Sequence, residues 1–119
     1  MTVVLASSAG RPELDHYVDL LDARDLVDGT TSKDDVEHSK PDPDIFAAAL
    51  AMSGVEAEQA VVVGDTPYDV IAAAKCGIPT VALLSGGFSE QGLRDAGAVA
   101  IYADVATLLA GFDDSPLGT

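Results

Sequence analysis

The chain has 119 residues, and its 20 acidic side chains against 6 lysines and arginines give a formal net charge of −14. That length suits one domain, and a hydrophobic content of 48% with only 5% aromatics leaves Ala, Val, Leu and Ile to fill the core. So negative a field repels phosphate backbones and excludes general nucleic-acid binding. It does not exclude a small phosphorylated substrate, because a bound metal inverts the local potential.

Thr2–Ala6 is a short apolar run rich in β-branched residues, without a basic leader. It reads as a strand rather than a signal peptide. Over Pro12–Asp22, the spacing of Leu14, Val18 and Leu21 predicts a helix. Leu26–Val27 reads as a short strand, and the polar stretch from Thr30 to Lys40 as a loop. Pro43–Ser53 is the clearest helix, with Asp42 expected as N-cap, Pro43 as first residue and Gly54 as stop. Ile45, Phe46, Ala49 and Leu50 form its apolar face.

Ala60–Val63 is uniformly apolar, as buried parallel strands are, and Gly64 breaks it. Pro67–Cys76 follows as a helix, with Val70, Ile71 and Ala74 expected inward and Gly77 at its end. Cys76 is the single cysteine, so no internal disulfide forms, which fits a reducing cytoplasm. Pro79–Leu84 is a further strand, closed by the turn Ser85-Gly86-Gly87. A helix over Ser89–Ala96 spaces Glu90 and Arg94 for an i,i+4 pair. Val99–Tyr102 reads as a strand, Val105–Leu109 as a helix, and 113–119 as a flexible tail. No uninterrupted apolar run is long enough to span a bilayer, so no membrane partner is expected.

Strands alternating with helices imply right-handed crossovers. The expected fold is α/β: a three-layer, Rossmann-like, doubly wound parallel sheet, with residues 1–112 as one core domain.

Asp65 falls where the Ala60–Val63 strand ends and a helix begins, with Thr66 and Pro67 reading as N-cap and first helical residue. That edge of an open α/β sheet is where ligands bind, and a carboxylate there suits a hard cation such as Mg²⁺. Asp69, four positions on, fits the acidic place of a capping box. A capping carboxylate can also hold a metal-bound water. Taken alone, Asp65 reads equally as a helix cap, and Asp69 reads more readily as one.

Lys40 lies in Ser39-Lys40-Pro41-Asp42-Pro43-Asp44, where two prolines fix the direction in which it leaves the backbone. Alone it reads as a solvated lysine. Ser7 and Ser8 end the first strand before Ala9-Gly10. A hydroxyl and turn amides there could hold a phosphoryl oxygen, though such serines more often cap turns. His16 and His38 have no partner at metal-ligand spacing, and Cys76 has no candidate base nearby in sequence. No nucleophile elbow, dinucleotide fingerprint or Walker loop is present.

Together, a strand ending in Ser7, then Ser-Lys-Pro-Asp-Pro-Asp-Ile-Phe opening a helix, then Val-Val-Val-Gly-Asp-Thr-Pro-Tyr-Asp resembles the haloacid dehalogenase-like hydrolases. The nearest branch is that of phosphoglycolate phosphatase and β-phosphoglucomutase. The resemblance runs from about Val3 to Leu109. It implies a Mg²⁺-dependent phosphatase that acts on a small phosphorylated metabolite through an aspartyl-phosphate. It also implies Ser7, with Ser8 beside it, as phosphate-binding, Lys40 as the cation steadying nucleophile and phosphorus, and Asp65 and Asp69 as the metal acids. Positioning and charge neutralisation are what phosphoryl transfer needs.

The family's nucleophile motif, Asp-x-Asp-x-Thr after an apolar strand, occurs nowhere in the chain. Asp25-Leu26-Val27-Asp28-Gly29-Thr30 has the wrong acid spacing. The resemblance therefore implies the carboxy-terminal part of such an enzyme, inactive alone and without the family's central first strand. A non-catalytic metal-binding or interaction module, a phosphomutase and a dehalogenase are the alternatives. A sheet missing a central strand also exposes edges that invite homodimers or strand exchange. Light scattering over a concentration series should report association, and a constant monomer mass would refute it.

Overall fold

Short runs pair side by side in this chain because each supplies β-branched residues and an unbroken row of backbone donors and acceptors. The computed structural model describes residues 2–6, 10–20, 28–32, 40 and 42–118. Backbone contacts divide the chain into two compact units, Met1–Glu56 and Ala57–Thr119.

In the first unit, β1 (Val4–Ala6) pairs in parallel with β2 (Gly29–Thr31), with Val4 opposite Gly29 and Ala6 opposite Thr31. The Asp28 carboxylate accepts from the Val3 amide at 2.7 Å, and the Thr31 hydroxyl donates to the Leu5 carbonyl at 3.4 Å. α1 (Arg11–Leu20) and α2 (Asp44–Ser53) follow their strands, and α2 packs on both β1 and β2. Leu14, Ile45 and Phe46 are buried. The side chain of Val18 and all of Leu21 lie outside the described residues.

Two expectations need correction here. Gly29–Thr31 is a strand where a loop was expected from Thr30, because the exposed backbone of β1 supplies a ladder that outweighs the polar composition. The expected strand at Leu26–Val27 lies outside the described residues. Pro43, not Asp42, takes the N-cap position of α2, and no side chain caps it. Its φ of −78° and ψ of −4° are already helical, and its carbonyl accepts from the Ala47 amide at 2.9 Å.

In the second unit, β3 (Val62–Gly64), β4 (Thr80–Leu83) and β5 (Ala100–Tyr102) form a parallel sheet with β4 in the middle. All four β4 residues are buried. Their alternation divides the core. Ala82 packs with Val70 of α3 (Pro67–Lys75) and Leu93 of α4 (Glu90–Ala96). Val81 and Leu83 pack with Leu108 of α5 (Val105–Ala110). Helices thus cover both faces, the doubly wound three-layer α/β arrangement that the alternating pattern predicts. Burial of each of the valine and leucine side chains here is worth roughly 1.5–3 kcal/mol.

Ile71 and Ala74, expected inward on α3, are exposed, and Asp69, Ala72 and Ala73 are buried instead. Asp69 turns inward to cap the helix, which sets the phase of the buried stripe along the residues that follow. Glu90 and Arg94 meet at 3.5 Å on the surface of α4. The Asp104 carboxylate caps α5, and the Thr107 amide and then its hydroxyl donate to it, lowering its pKa below the ordinary carboxylate value. Beyond α5, Phe112–Asp114 make a 3-10 turn, and Ser115 is buried with its hydroxyl donating to the Phe112 carbonyl at 2.6 Å. Among the described residues no helix is long and apolar enough to cross a membrane.

The Thr80 hydroxyl is buried with no hydrogen-bond partner among the described residues. A buried unpaired hydroxyl costs desolvation that nothing repays. Thr80→Val should therefore raise the unfolding free energy by about 1 kcal/mol in urea titrations. A loss of stability would show that the hydroxyl has a partner.

Candidate functional site

The expected chemistry gathers at strand ends. In the first unit, Ser7 and Ser8 lie outside the described residues. Lys40 is half-buried, and its Nζ donates to the carbonyl of Ala6, the last residue of β1, at 3.4 Å. The same ammonium stands 5.3 Å from the ring centroid of Phe46, a buried residue of α2. An aromatic face at that range attracts a cation. Lys40 is thus held at the carboxyl end of β1, next in sequence to Ser7.

In the second unit, β3 ends at Gly64, and Asp65 follows. Thr66 is extended (φ −129°, ψ 154°), and Pro67 begins α3. The Thr66 Oγ1 accepts from the Asp69 amide at 3.1 Å. The Asp69 Oδ2 accepts from the amides of Asp65 at 3.2 Å and Thr66 at 3.3 Å. This is the reciprocal capping box that the sequence suggests. Asp69 is buried by it, while Asp65 stays half-buried.

Gly64 is required by that arrangement, since a Cβ there would lie 2.7 Å from the Asp69 Oδ2. Asp69 is therefore folded back on the chain that carries Asp65. Among the described residues no donor is recorded to the Asp65 carboxylate. The two acids differ accordingly. Asp69 fixes the turn, and Asp65 offers hard oxygens at the strand end, the donor type that Mg²⁺ takes. No group of three or more His, Cys, Asp or Glu side chains able to hold a metal is assembled among the described residues. Two acids are fewer than an all-protein metal cage needs, whereas Mg²⁺ sites generally use only one or two carboxylates and keep several waters.

Sequence reasoning missed the neighbours of this turn. The rings of Tyr68 on α3 and Phe88 after β4 meet edge to face, with centroids 6.3 Å apart and planes at 87°. The loop after β4 therefore lies against the start of α3. The available signal was topological: Ser85-Gly86-Gly87 follows the strand paired with β3, and parallel strands end at the same edge.

The model of the haloacid dehalogenase-like hydrolase family matches residues 1–83. A phosphoglycolate phosphatase from Rhodospirillum rubrum is 42% identical over 84 residues, which cover 71% of this chain and 33% of that protein. A validoxylamine A 7'-phosphate phosphatase from Streptomyces hygroscopicus is 34% identical over 79 residues, 66% of this chain and 37% of its own length. The crystal structure of a hydrolase from Pseudomonas syringae superposes with a TM-score of 0.83 at 34% identity, covering 92% of this chain and 51% of that one. The chain thus spans about a third of these curated relatives and about half of the solved structure.

The division of labour between the acids is measurable as stability. Asp69→Ala strands two amides and removes the box, and should cost about 1–3 kcal/mol in denaturant unfolding. Asp65→Ala should change stability by no more than about 0.5 kcal/mol. Equal losses would show that Asp65 is as structural as Asp69.

Proposed function

From the membership of this chain in the haloacid dehalogenase-like hydrolase family, we propose that it forms the metal-binding and phosphate-binding part of a Mg²⁺-dependent phosphatase. Its substrate is a small phosphorylated metabolite of the cytoplasm. The observation that carries the reading is Asp65, half-buried where β3 ends, beside an Asp69 already committed to the α3 cap. In this reading Asp65 ligates Mg²⁺ directly, and Asp69 steadies it through water from behind. The ion supplies positive charge against the phosphoryl oxygens.

The other assigned residues bind and orient. Lys40, held at the end of β1 by the Ala6 carbonyl and the Phe46 ring, brings a fixed ammonium towards the phosphoryl group. The Ser7 hydroxyl donates to a phosphoryl oxygen, with Ser8 beside it. Residues 1–112 act as one partial core domain. The nucleophile, an aspartate in Asp-x-Asp-x-Thr, is not among the 119 residues, so the chain binds the ion and is inert towards phosphate esters by itself. Two relatives named as phosphatases support this reading over a dehalogenase or a binding module.

Titration of the 15N-labelled chain with Mg²⁺ should move the amide signals of Asp65 and Thr66, and Asp65→Asn should abolish the movement. Silent spectra would leave a purely structural domain. With p-nitrophenyl phosphate and Mg²⁺ the chain should give no turnover above buffer. Robust turnover that Asp65→Asn removes would refute the missing nucleophile.

A further inference from the structure

The loop after β4 reads in the sequence as a plain Gly-rich turn, yet it approaches the acid corner closely. Leu84–Gly86 form a single 3-10 turn, and Gly87 closes it with its amide donating to the Leu84 carbonyl at 3.1 Å. A Cβ built on Gly86 would lie 2.6 Å from the Asp65 carbonyl oxygen and 2.8 Å from both Cγ and Oδ2 of its carboxylate. Side-chain carbons essentially never stand so close. Gly86 is not among the glycines with positive φ, so its backbone angles do not demand glycine. Space alone does.

Neither partner has room to retreat. Leu84 packs against the Val70, Ala82 and Leu93 cluster, which ties the start of the loop to the core. Phe88, just past it, rests edge-on against Tyr68 of α3. On the other side, the Asp65 backbone is tied by its amide to the Asp69 carboxylate. An added methyl group at residue 86 is thus wedged between a pinned loop and a pinned turn. The contact with the carbonyl oxygen forces a small backbone shift, and the contacts with Cγ and Oδ2 force the Asp65 side chain to swing about its Cα–Cβ bond.

We propose that Gly86 is a positioning residue for Asp65: its bare backbone forms the wall that holds this carboxylate in the direction required of a cation ligand. The inference rests on reading Asp65 as that ligand. A wall of backbone suits the task, because a carboxylate in an open corner samples several rotamers and must be ordered on binding at an entropic cost. Mutating the groups that orient a metal ligand through hydrogen bonds typically costs about 10–100-fold in affinity, the scale expected for a carboxylate turned from its direction.

The test compares Gly86→Ala with Gly97→Ala in the full chain. Gly97 ends α4 at a φ of 114°, so alanine there strains the backbone without touching Asp65. In metal-free protein, Gly86→Ala should shift the Asp65 amide and carboxylate resonances, and Gly97→Ala should leave them in place. In Mg²⁺ titrations Gly86→Ala should raise Kd by at least about tenfold, and Gly97→Ala by less than twofold. Asp65 resonances that respond equally to the two variants would overturn the proposal. If wild-type protein ignores Mg²⁺, the metal reading falls, and the metal-free resonances still decide the positioning. Should Gly86→Ala unfold the chain, Asp65→Ala supplies the second arm by removing the carboxylate that the methyl group meets. The Tm loss from Gly86→Ala should then be smaller in the Asp65→Ala background than in wild type, and an equal loss would refute the contact.

Discussion

The bond set around Asp69 is the constraint on which the acid corner depends. A helix begins with amides that have no partner within it, and burying them unpaired is costly. Here one carboxylate oxygen takes the amide of the N-cap Thr66 and that of Asp65 before it, while the Thr66 hydroxyl oxygen accepts from the Asp69 amide. The strand-to-helix turn is thereby fixed at its backbone rather than by packing of large side chains. Gly64 follows from it, because only a residue without Cβ lets the carboxylate fold back so tightly. The phase of α3 follows too. With Asp69 turned inward, Val70, Ala72 and Ala73 face the core and Ile71 is turned out.

What the corner can do is then set by the sheet. Parallel strands deliver their carboxyl ends to one edge, and β4 holds β3 and β5 in register through a strand buried along its whole length. Its alternating side chains anchor α3 and α4 on one face and α5 on the other. Helices pack on both faces of β4, and the polar residues gather at the strand ends. The first unit repeats the logic on a smaller scale. β1 pairs with β2, α2 covers both, and the helix carries the ring over which Lys40 lies at the end of β1.

Local signals made much of this legible. Thr66-Pro67-Tyr68-Asp69 announces a capping box in four letters, and Glu90 and Arg94 meet on α4 as their spacing suggests. What escaped depends on neighbours distant in sequence. Gly29–Thr31 is polar and short, and only its pairing with β1 makes it a strand. Asp42 has the chemistry of a cap, but Pro43 enters the helical region first and leaves it nothing to cap. Ile71 is more apolar than Ala72 or Ala73, yet the inward pull of Asp69 outranks hydropathy in choosing the face. Gly86 looked like punctuation, because closeness to Asp65 is a property of two loops at one sheet edge and not of either segment. The site residues were therefore easier to find than the groups that hold them.

Electrostatics connects the corner to the proposed chemistry. The chain carries a formal charge of −14, and two further negative charges of a phosphate group would meet Asp65 at the same strand end. Two like unit charges about 4 Å apart repel by about 4 kcal/mol at an effective dielectric constant of 20. Asp69 adds little to that repulsion, since two amides and the positive end of the α3 dipole already answer its charge. Asp65 is answered by no recorded donor among the described residues. A cation at Asp65 therefore does more than fill a coordination site. In the proposed reading it offsets, at this strand end, a carboxylate charge that no donor among the described residues answers. On the proposed reading, an acidic chain can hold an acidic substrate once a cation offsets the charge of this corner.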